Sequence, residues 1–481
     1  MDINVEYVSN RKEKIVKILP EIKNKNEKNR GIKLKPSKKK MLVGANIVRQ
    51  YIIENKRKVY GGMAIDESIK KKNKSKAIYS KDDFPDYDFY TPEPLKDIIN
   101  ITNKLVEAGF EFVQGKEAFH QNTYKIRVEN YESELADISY VWNYLYYKIP
   151  TIVVNDMHFV HPDFQIMDIY RIITNPITGW VKIEKAYYRA LLLEQYYILP
   201  KMKSFMKNKF NSCATKCNYS LGQNKPIYIL SVWESILNEF LPKKKDYIII
   251  GDVAYNKLIE KSFIIKKKQR MLNKKSKKFV LSIMVNSNKF DKFLNDVINF
   301  IKNDINIYKM KEISSQNYHP FLELYGNSTK IYLNNHMIIR IYNTDICQPY
   351  QKIDSLLYGS IHLQLLFYYS ISFRNLISKN KYKASKDTVT YITSNLEYAR
   401  EHYYSKHKKL GIEKNPYQEL QIECMGNEIN TPFQVMIQRK KTRRDFSYNP
   451  VKGKLKKDTD FATWNYPNRS GNKTGNLIIH K

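Results

Sequence analysis

The sequence predicts an α/β (α+β) architecture: a small mixed sheet with helices on one face, followed by a second, degenerate copy of the same plan. Three observations predict it. Between Val59 and Asp88 the chain reads as a short apolar strand, a Gly-Gly pair, a helix, a basic loop and an aromatic strand carrying Asp-Tyr-Asp. From Tyr247 the order strand, glycine, helix, basic loop, strand, helix returns. With 481 residues, 42% hydrophobic and 13% aromatic content, the chain can bury a large core and is long enough for about three domains.

Ile47, Val48, Tyr51 and Ile52 fall at helical spacing between Met41 and Lys56, so a helix packs beside the first strand. Val59 and Tyr60 end that strand, and Met63 to Lys70 reads as a helix. Gly61 and Gly62 let the backbone approach a ligand closely, with amide N–H groups aimed at an anion at the helix N-terminus. Phe84 to Tyr90 reads as a strand that turns at Thr91 into a helix near Pro94. Strand side chains repeat every two residues, so Asp86 and Asp88 project from one face. Two such carboxylates repel each other unless a cation sits between them, and Mg²⁺ or Mn²⁺ suits oxygen ligands of this kind. Asp137 stands among Leu135, Ala136 and Ile138 in another apolar run, Glu134 to Val141. A lone acid there is costly without a partner, and a shared pair of metal ions supplies one. The competing reading makes these three residues surface acids or helix caps.

Leu95 to Ala108 is an amphipathic helix stopped by Gly109, followed by strand-like runs at Phe110 to Val113, Tyr124 to Val128 and Leu135 to Val141. A hairpin, Thr151 to Phe159, leads to a helix from Asp163, on which Asp168 and Arg171 share a face and can pair. His158 and His161 read as structural, since no third nitrogen or sulfur donor is near. In Trp180 to Leu193, Lys185 and Arg189 are four residues apart on one helical face, while Ala190, Leu191 and Leu192 pack inward. That basic pair is either a phosphate contact or an ordinary exposed face.

Pro242 and the lysines at 243, 244 and 245 mark a boundary before the repeat. Setting the two glycine turns in register places Ser282 and Met284 opposite Asp86 and Asp88, and Arg340 opposite Asp137. None is a carboxylate, so the second copy is expected to hold no metal. Leu356 to Ile377 reads as one long core helix and Asn395 to Lys409 as another. From Gln438 onward, twelve Lys or Arg stand against three Asp, the composition of a tail that stays disordered until RNA or another partner binds. The expected domains are a basic N-terminal segment (1–45), a catalytic domain (46–193), a helical connector (194–244), the degenerate domain (245–380) and a helical, basic C-terminal region with a flexible tail (381–481).

A net charge of +34 points to a polyanionic partner, nucleic acid being the commonest, although a Lys-rich coding bias accounts for part of it. The basic first forty residues are either a solvated helix and loop or an RNA-contacting arm. Four cysteines, Cys213, Cys217, Cys347 and Cys424, make no disulfide framework in a chain of this length. Cys213 and Cys217 lack the further donors of a zinc site and read as reduced thiols. No signal peptide or membrane-spanning run is visible, so a soluble intracellular protein is expected.

The ordered set of Gly61-Gly62, the Asp86-x-Asp88 strand and Asp137 on a later strand resembles the nucleotidyltransferase (polymerase-β-like) superfamily. The wording YGGMAID, DFPDYDFYTPEP and FVHPDFQIMDIYRIITNP is similar, more narrowly, to the poly(A) polymerase catalytic subunits of large cytoplasmic DNA viruses (poxvirus, asfarvirus and giant-virus type). The close likeness runs from about Val59 to Leu193. It implies template-independent addition of AMP from ATP to RNA 3′ ends, with two Mg²⁺ or Mn²⁺ ions held by Asp86, Asp88 and Asp137. It also implies that Gly61 and Gly62 cradle phosphates and that Lys185 and Arg189 lie on a triphosphate-binding helix. By the same resemblance the partners are a single-stranded RNA primer and either a second copy or a separate viral processivity subunit. The site of action is the virion and the infected-cell cytoplasm. Rival readings are a uridylyl or CCA-adding enzyme, a small-molecule nucleotidyltransferase and a non-catalytic RNA-binding protein.

Overall fold

The computed structural model describes residues 14–26, 38–80, 83, 86–119, 122–129, 133–177, 179–216, 224–262, 264, 267–305, 313–318, 328–344, 346–377, 386–407, 415–426, 432–442 and 444–461. Its frame is a pair of eight-stranded mixed sheets. The first is built from β1 (Lys58–Val59), β2 (Tyr87–Thr91), β3 (Gln114–Glu117), β4 (Thr123–Val128), β5 (Ser133–Tyr140), β6 (Thr151–Val154) and β7 (Met157–Val160). Its order is β3-β4-β5-β2-β1-β7-β6, with one further strand from the C-terminal region outside β3. Helices α1 (Lys38–Glu54), α2 (Gly61–Lys72), α3 (Pro94–Glu107), α4 (Pro162–Ile173) and α5 (Ile183–Leu193) surround it.

Alternation dictates which face is dry. Along β2 the residues Tyr87, Phe89 and Thr91 are buried and those between are half-buried; β4 repeats the pattern. The buried set meets Val48, Tyr51 and Ile52 of α1 and Ile98, Ile99 and Leu105 of α3 in one apolar core. The opposite face is left for polar side chains. A larger core joins Ile65 and Ile69 of α2, together with α4 and α5, to the second sheet and its helices.

The second sheet holds β8 (Tyr247–Ile250), β9 (Leu281–Asn286), β10 (Ile313–Tyr318), β11 (Ser328–Leu333), β12 (His336–Thr344), β13 (Gln348–Ile353) and β14 (Leu356–Gly359). Its order is β10-β11-β12-β9-β8-β14-β13, with the short β15 (Cys424–Met425) beyond β13. Strand for strand this repeats the first sheet. β8 runs antiparallel to β9 and parallel to β14, as β1 does to β2 and β7. β9 runs parallel to β12, as β2 does to β5. Helices α6 (Asp252–Lys261), α7 (Phe290–Ile305), α8 (Ile361–Ile377) and α9 (Lys386–His407) complete the second unit. Both copies turn into their first helix through a glycine of positive φ, +70° at Gly61 and +67° at Gly251.

Register corrects the expected correspondence by two residues. Asp88 follows directly on the β1–β2 ladder as the partner of Tyr60, whose N–H it accepts, and Ile250 pairs with Ser282 at the same distance from its glycine. Ser282 therefore stands opposite Asp88, not Asp86, and Val280 takes the place of Asp86. Arg340 pairs with Ser282 as Asp137 pairs with Asp88, so its expected position holds.

Other elements moved too. Leu356–Gly359 is a strand, not the first turn of a long helix: β14 lies between β8 and β13, with Leu356 and Leu357 half-buried and Tyr358 and Gly359 buried. A continuous apolar run suits such a strand as well as a buried helix. Phe110 to Val113 forms no strand: Phe112 adopts φ +50°, and the chain enters β3 only at Gln114. Asp86 precedes β2 rather than lying within it, and Phe84 falls outside the described residues.

The C-terminal region departs most from expectation. Residues 432–442 and 444–461 are docked, not disordered: a helix over Pro432–Thr442 is followed by β16 (Ser447–Tyr448), which pairs antiparallel with β3. Phe446 and Tyr448 enter the first core, and Arg439 pairs with Asp445 at 2.8 Å and with Glu117 at 3.3 Å. Trp464 and the rest of the tail lie outside the described residues. Cys347 and Cys424 form a disulfide, and Cys213 is disulfide-bonded as well, which overturns the reduced-thiol reading. The β13–β15 ladder pairs Pro349 with Cys424 and so brings Cys347 beside it. Among the described residues, no helix is long and apolar enough to cross a membrane.

Candidate active site

The polar face of the first sheet carries one cross-strand row. Lys125 on β4 pairs with Asp137 on β5, and Asp137 with Asp88 on β2. Neighbouring strands lie about 4.8 Å apart, so these groups meet side by side. Asp86, just before β2, joins from the solvent edge. One carboxylate oxygen each from Asp86, Glu134 and Asp137 lie within 4.8 Å of one another. Asp88 is outside that triplet; its Oδ2 lies against the glycine turn, 2.5 Å from where a β-carbon on Gly61 would sit.

Glu134 escaped the sequence reading for a specific reason. It stands three positions before Asp137, and simple alternation puts the two on opposite faces. A β-bulge intervenes: Ile126 pairs with Ala136 but Arg127 with Glu134, leaving Leu135 without a partner across the ladder. The extra residue turns both acids to the same side. Glu134 Oε2 accepts from Lys125 Nζ at 2.6 Å, and Oε1 accepts from Arg127 Nε at 3.0 Å. Against the upward push of burial, those two cations hold the Glu134 carboxyl below its usual range.

Asp88 and Asp137 are strained electrostatically. Burial, then the neighbouring Asp86 and Asp137, pushes the Asp88 carboxyl up to about 8. Burial also raises Asp137, to about 6; Lys125 opposes the rise, while Glu134 and Asp86 add to it. Asp137 Oδ1 is buried with no hydrogen-bond partner. Two neighbouring carboxyls, Asp88 and Asp137, that resist ionisation, with a buried oxygen left over, have the donor chemistry of a hard divalent cation site.

The turn beside it is held from both sides. Tyr60 donates its N–H to the Asp88 carbonyl at 2.8 Å, stacks on Tyr90 at a centroid distance of 4.0 Å and shares a 2.8 Å hydrogen bond with Ser139. α2 then begins at Gly61 itself, two residues earlier than its apolar pattern predicts, so both glycines supply helix N-terminal amides. A β-carbon on Gly62 would run into the Tyr79 hydroxyl and Arg189 Nη2, displacing the ends of both side chains from the turn.

α5 lays its basic face here. Ala186 and Ala190 are buried, which turns Lys185 and Arg189 toward the carboxylates. Arg189 first, then burial, lowers Lys185, while Asp86 and Asp88 pull it the other way. Arg189 donates to the Tyr79 hydroxyl at 3.1 Å, and its buried Nε has no hydrogen-bond partner. Tyr79 is itself placed by Asp66 of α2, which accepts the N–H groups of Ile78 and Tyr79. The structure thus gathers Gly61, Gly62, Asp86, Asp88, Asp137, Lys185 and Arg189 around one spot, and adds Tyr79, Lys125 and Glu134. Asp168 and Arg171 pair with each other at 2.7 Å, and His161 caps α4 by accepting from Asp163 N–H.

Known proteins resemble this chain in sequence and in fold. Residues 46–179 match the family model described as poly(A) polymerase catalytic subunit, and residues 228–480 match the model for the C-terminal part of the catalytic subunit of the mimivirus (APMV) type. A protein of Acanthamoeba polyphaga mimivirus named as a poly(A) polymerase catalytic subunit is 29% identical over 467 residues, spanning 89% of this chain and 76% of its own. The African swine fever virus protein of the same name, from the Kenya 1950 isolate, is 30% identical over 171 residues, spanning 34% of this chain and 35% of its own. The crystal structure of the Megavirus polyadenylate synthase superimposes with a TM-score of 0.73 at 25% identity, over 97% of this chain and 89% of that one. The duplicated nucleotidyltransferase-like fold is therefore shared as a whole, and the chain belongs to the family of viral poly(A) polymerase catalytic subunits, as a polynucleotide adenylyltransferase that makes poly(A).

Proposed function

We propose that the site transfers AMP from ATP to the 3′-hydroxyl of a single-stranded RNA by a two-metal mechanism. The observation that carries this reading is the convergence of Asp86, Asp88 and Asp137 beside a glycine turn overlain by Arg189. Asp86, Asp88 and Asp137 would hold Mg²⁺ or Mn²⁺, which when bound lower the pKa of the attacking hydroxyl and neutralise charge on the leaving pyrophosphate.

The chain's own groups do the positioning. The amides of Gly61 and Gly62 at the N-terminus of α2 offer donors to phosphate oxygens, and the absence of a side chain at Gly62 keeps that approach open. Arg189 adds a guanidinium whose Nε remains available for a phosphate, and Lys185 a mobile charge on the same helix. Asp66 fixes the chain after α2, and the exposed Lys71 and Lys72 at the end of that helix, with Lys74 and Lys76 beyond it, line the approach for a polyanionic primer.

The test is incubation of the protein with a short RNA, Mn²⁺ or Mg²⁺, and each of the four nucleoside triphosphates in turn. Long products are expected with ATP alone. Equal extension by UTP would reject the adenylyl assignment. Asp86→Ala and Asp88→Ala are expected to abolish extension while RNA still binds; tail growth at wild-type rate in either would reject the metal assignment.

A further inference from the structure

We propose that Lys125 is a resident counter-cation of the carboxylate cluster, holding Asp137 in place and keeping the nucleotide-free site from retaining divalent ions tightly. The inference rests on the metal reading above. Lys125 Nζ lies 2.6 Å from Glu134 Oε2 and 3.5 Å from Asp137 Oδ2, so it bridges the two acids across the β4–β5 ladder. Arg127 anchors the other end of that chain through Glu134 Oε1. Both oxygens of Glu134 are therefore taken by cations. Its closeness to Asp86 and Asp137 makes it a bracket for Lys125 and not a metal ligand. Asp137 is left with Oδ2 facing the lysine and Oδ1 buried and unmatched.

The physical consequence follows from charge. Asp86, Asp88 and Asp137 together carry three negative charges when ionised, and a fixed ammonium beside one of them offsets part of their field. That keeps the metal-free site assembled. It also weakens the pull on a bare divalent ion, so ions accumulate once nucleotide phosphates add their own negative charge. Lys125 is in this sense a positioning residue, acting on the ion through Asp137.

The experiment is calorimetric titration of Mn²⁺ into the nucleotide-free full chain, with thermal melts in chelator alongside. Lys125→Met is expected to bind Mn²⁺ tighter by roughly an order of magnitude, and to melt at lower temperature in chelator. Lys125→Arg keeps the charge and is expected to stay within about threefold of wild type. Glu134→Gln releases Lys125 to Asp137 alone and is expected to weaken Mn²⁺ binding. A purely structural lysine does not move the first and last variants in opposite directions. Unchanged or weaker affinity in Lys125→Met, with an Asp88-dependent heat in wild type, overturns this inference alone. No Asp88-dependent Mn²⁺ heat in wild type overturns the metal reading and this inference with it.

Discussion

Gly61 and Asp88 are in contact across the turn: the position a β-carbon would take on Gly61 lies 2.5 Å from Asp88 Oδ2. The twin glycine, Gly251, has the same φ sign, but its β-carbon would meet the Phe367 ring at 3.0 Å and no acid. Gly61→Ala and Gly251→Ala should each cost about 1–3 kcal/mol of stability through the left-handed backbone. Only Gly61→Ala should also reduce primer extension, by at least about 100-fold, because displacing a reacting group by an ångström is that costly. Equal activity loss in the two variants, measured on folded protein, would contradict the assignment of the turn.

Acidity should govern the metal-free protein. A carboxyl whose folded pKa exceeds its unfolded value, near 3.9, stabilises the fold below that value and loses the contribution as pH rises through the folded one. For Asp137 and Asp88 that window runs from about 4 to about 6 and about 8 respectively. Melting temperature in chelator should therefore fall between pH 5 and 8, and Mg²⁺ should restore it most at the alkaline end. Asp88→Asn should flatten the slope; a slope insensitive to that change would count against the cluster as its source.

The docked C-terminal segment makes a contrasting claim to that of a loose RNA-binding tail. Phe446 packs edge to face with Tyr124, centroids 5.9 Å apart, in the core of the first sheet. Phe446→Ala should destabilise the protein by about 3–5 kcal/mol. Denaturant unfolding should report this loss without any RNA present. An effect confined to RNA affinity would show that residue 446 does not belong to the core.

The Cys347–Cys424 bond closes a loop of 77 residues in sequence separation. Cys347→Ser should lower stability by about 2–4 kcal/mol, and reductant should shift the melt of wild type but not of a variant lacking all four cysteines. A wild-type melt unmoved by reductant would place the bond outside the working state of the protein.

Much of this architecture was legible because two signals are local. A strand ending in glycine before a helix needs a positive φ, and that mark at Gly61 and Gly251 revealed both copies. Asp88 and Asp137 were visible because carboxylates in apolar strands are conspicuous, and Asp86 because it stands two positions before Asp88. What stayed hidden depends on partners remote in sequence. The two-residue correction at Ser282 arises because the basic loops before β2 and β9 leave strand phase undetermined. Glu134 was masked by the bulge at Leu135, although Lys125 and Arg127, alternating on β4, were a hint that an acid faces them. β15 and β16 are two residues each, too short for any periodicity, so neither the disulfide nor the docked C-terminal segment could be read from pattern.

β16 is synthesised after every other strand of both sheets, yet it borders the sheet that carries the carboxylates. The ribosome must therefore have translated both lobes before the first can seal its exposed rim. A nascent chain cut short anywhere in the second lobe leaves β3 with an open hydrogen-bonding edge, a natural target for quality control. Timing is thereby tied to topology: the lobe that begins translation first is the one completed last.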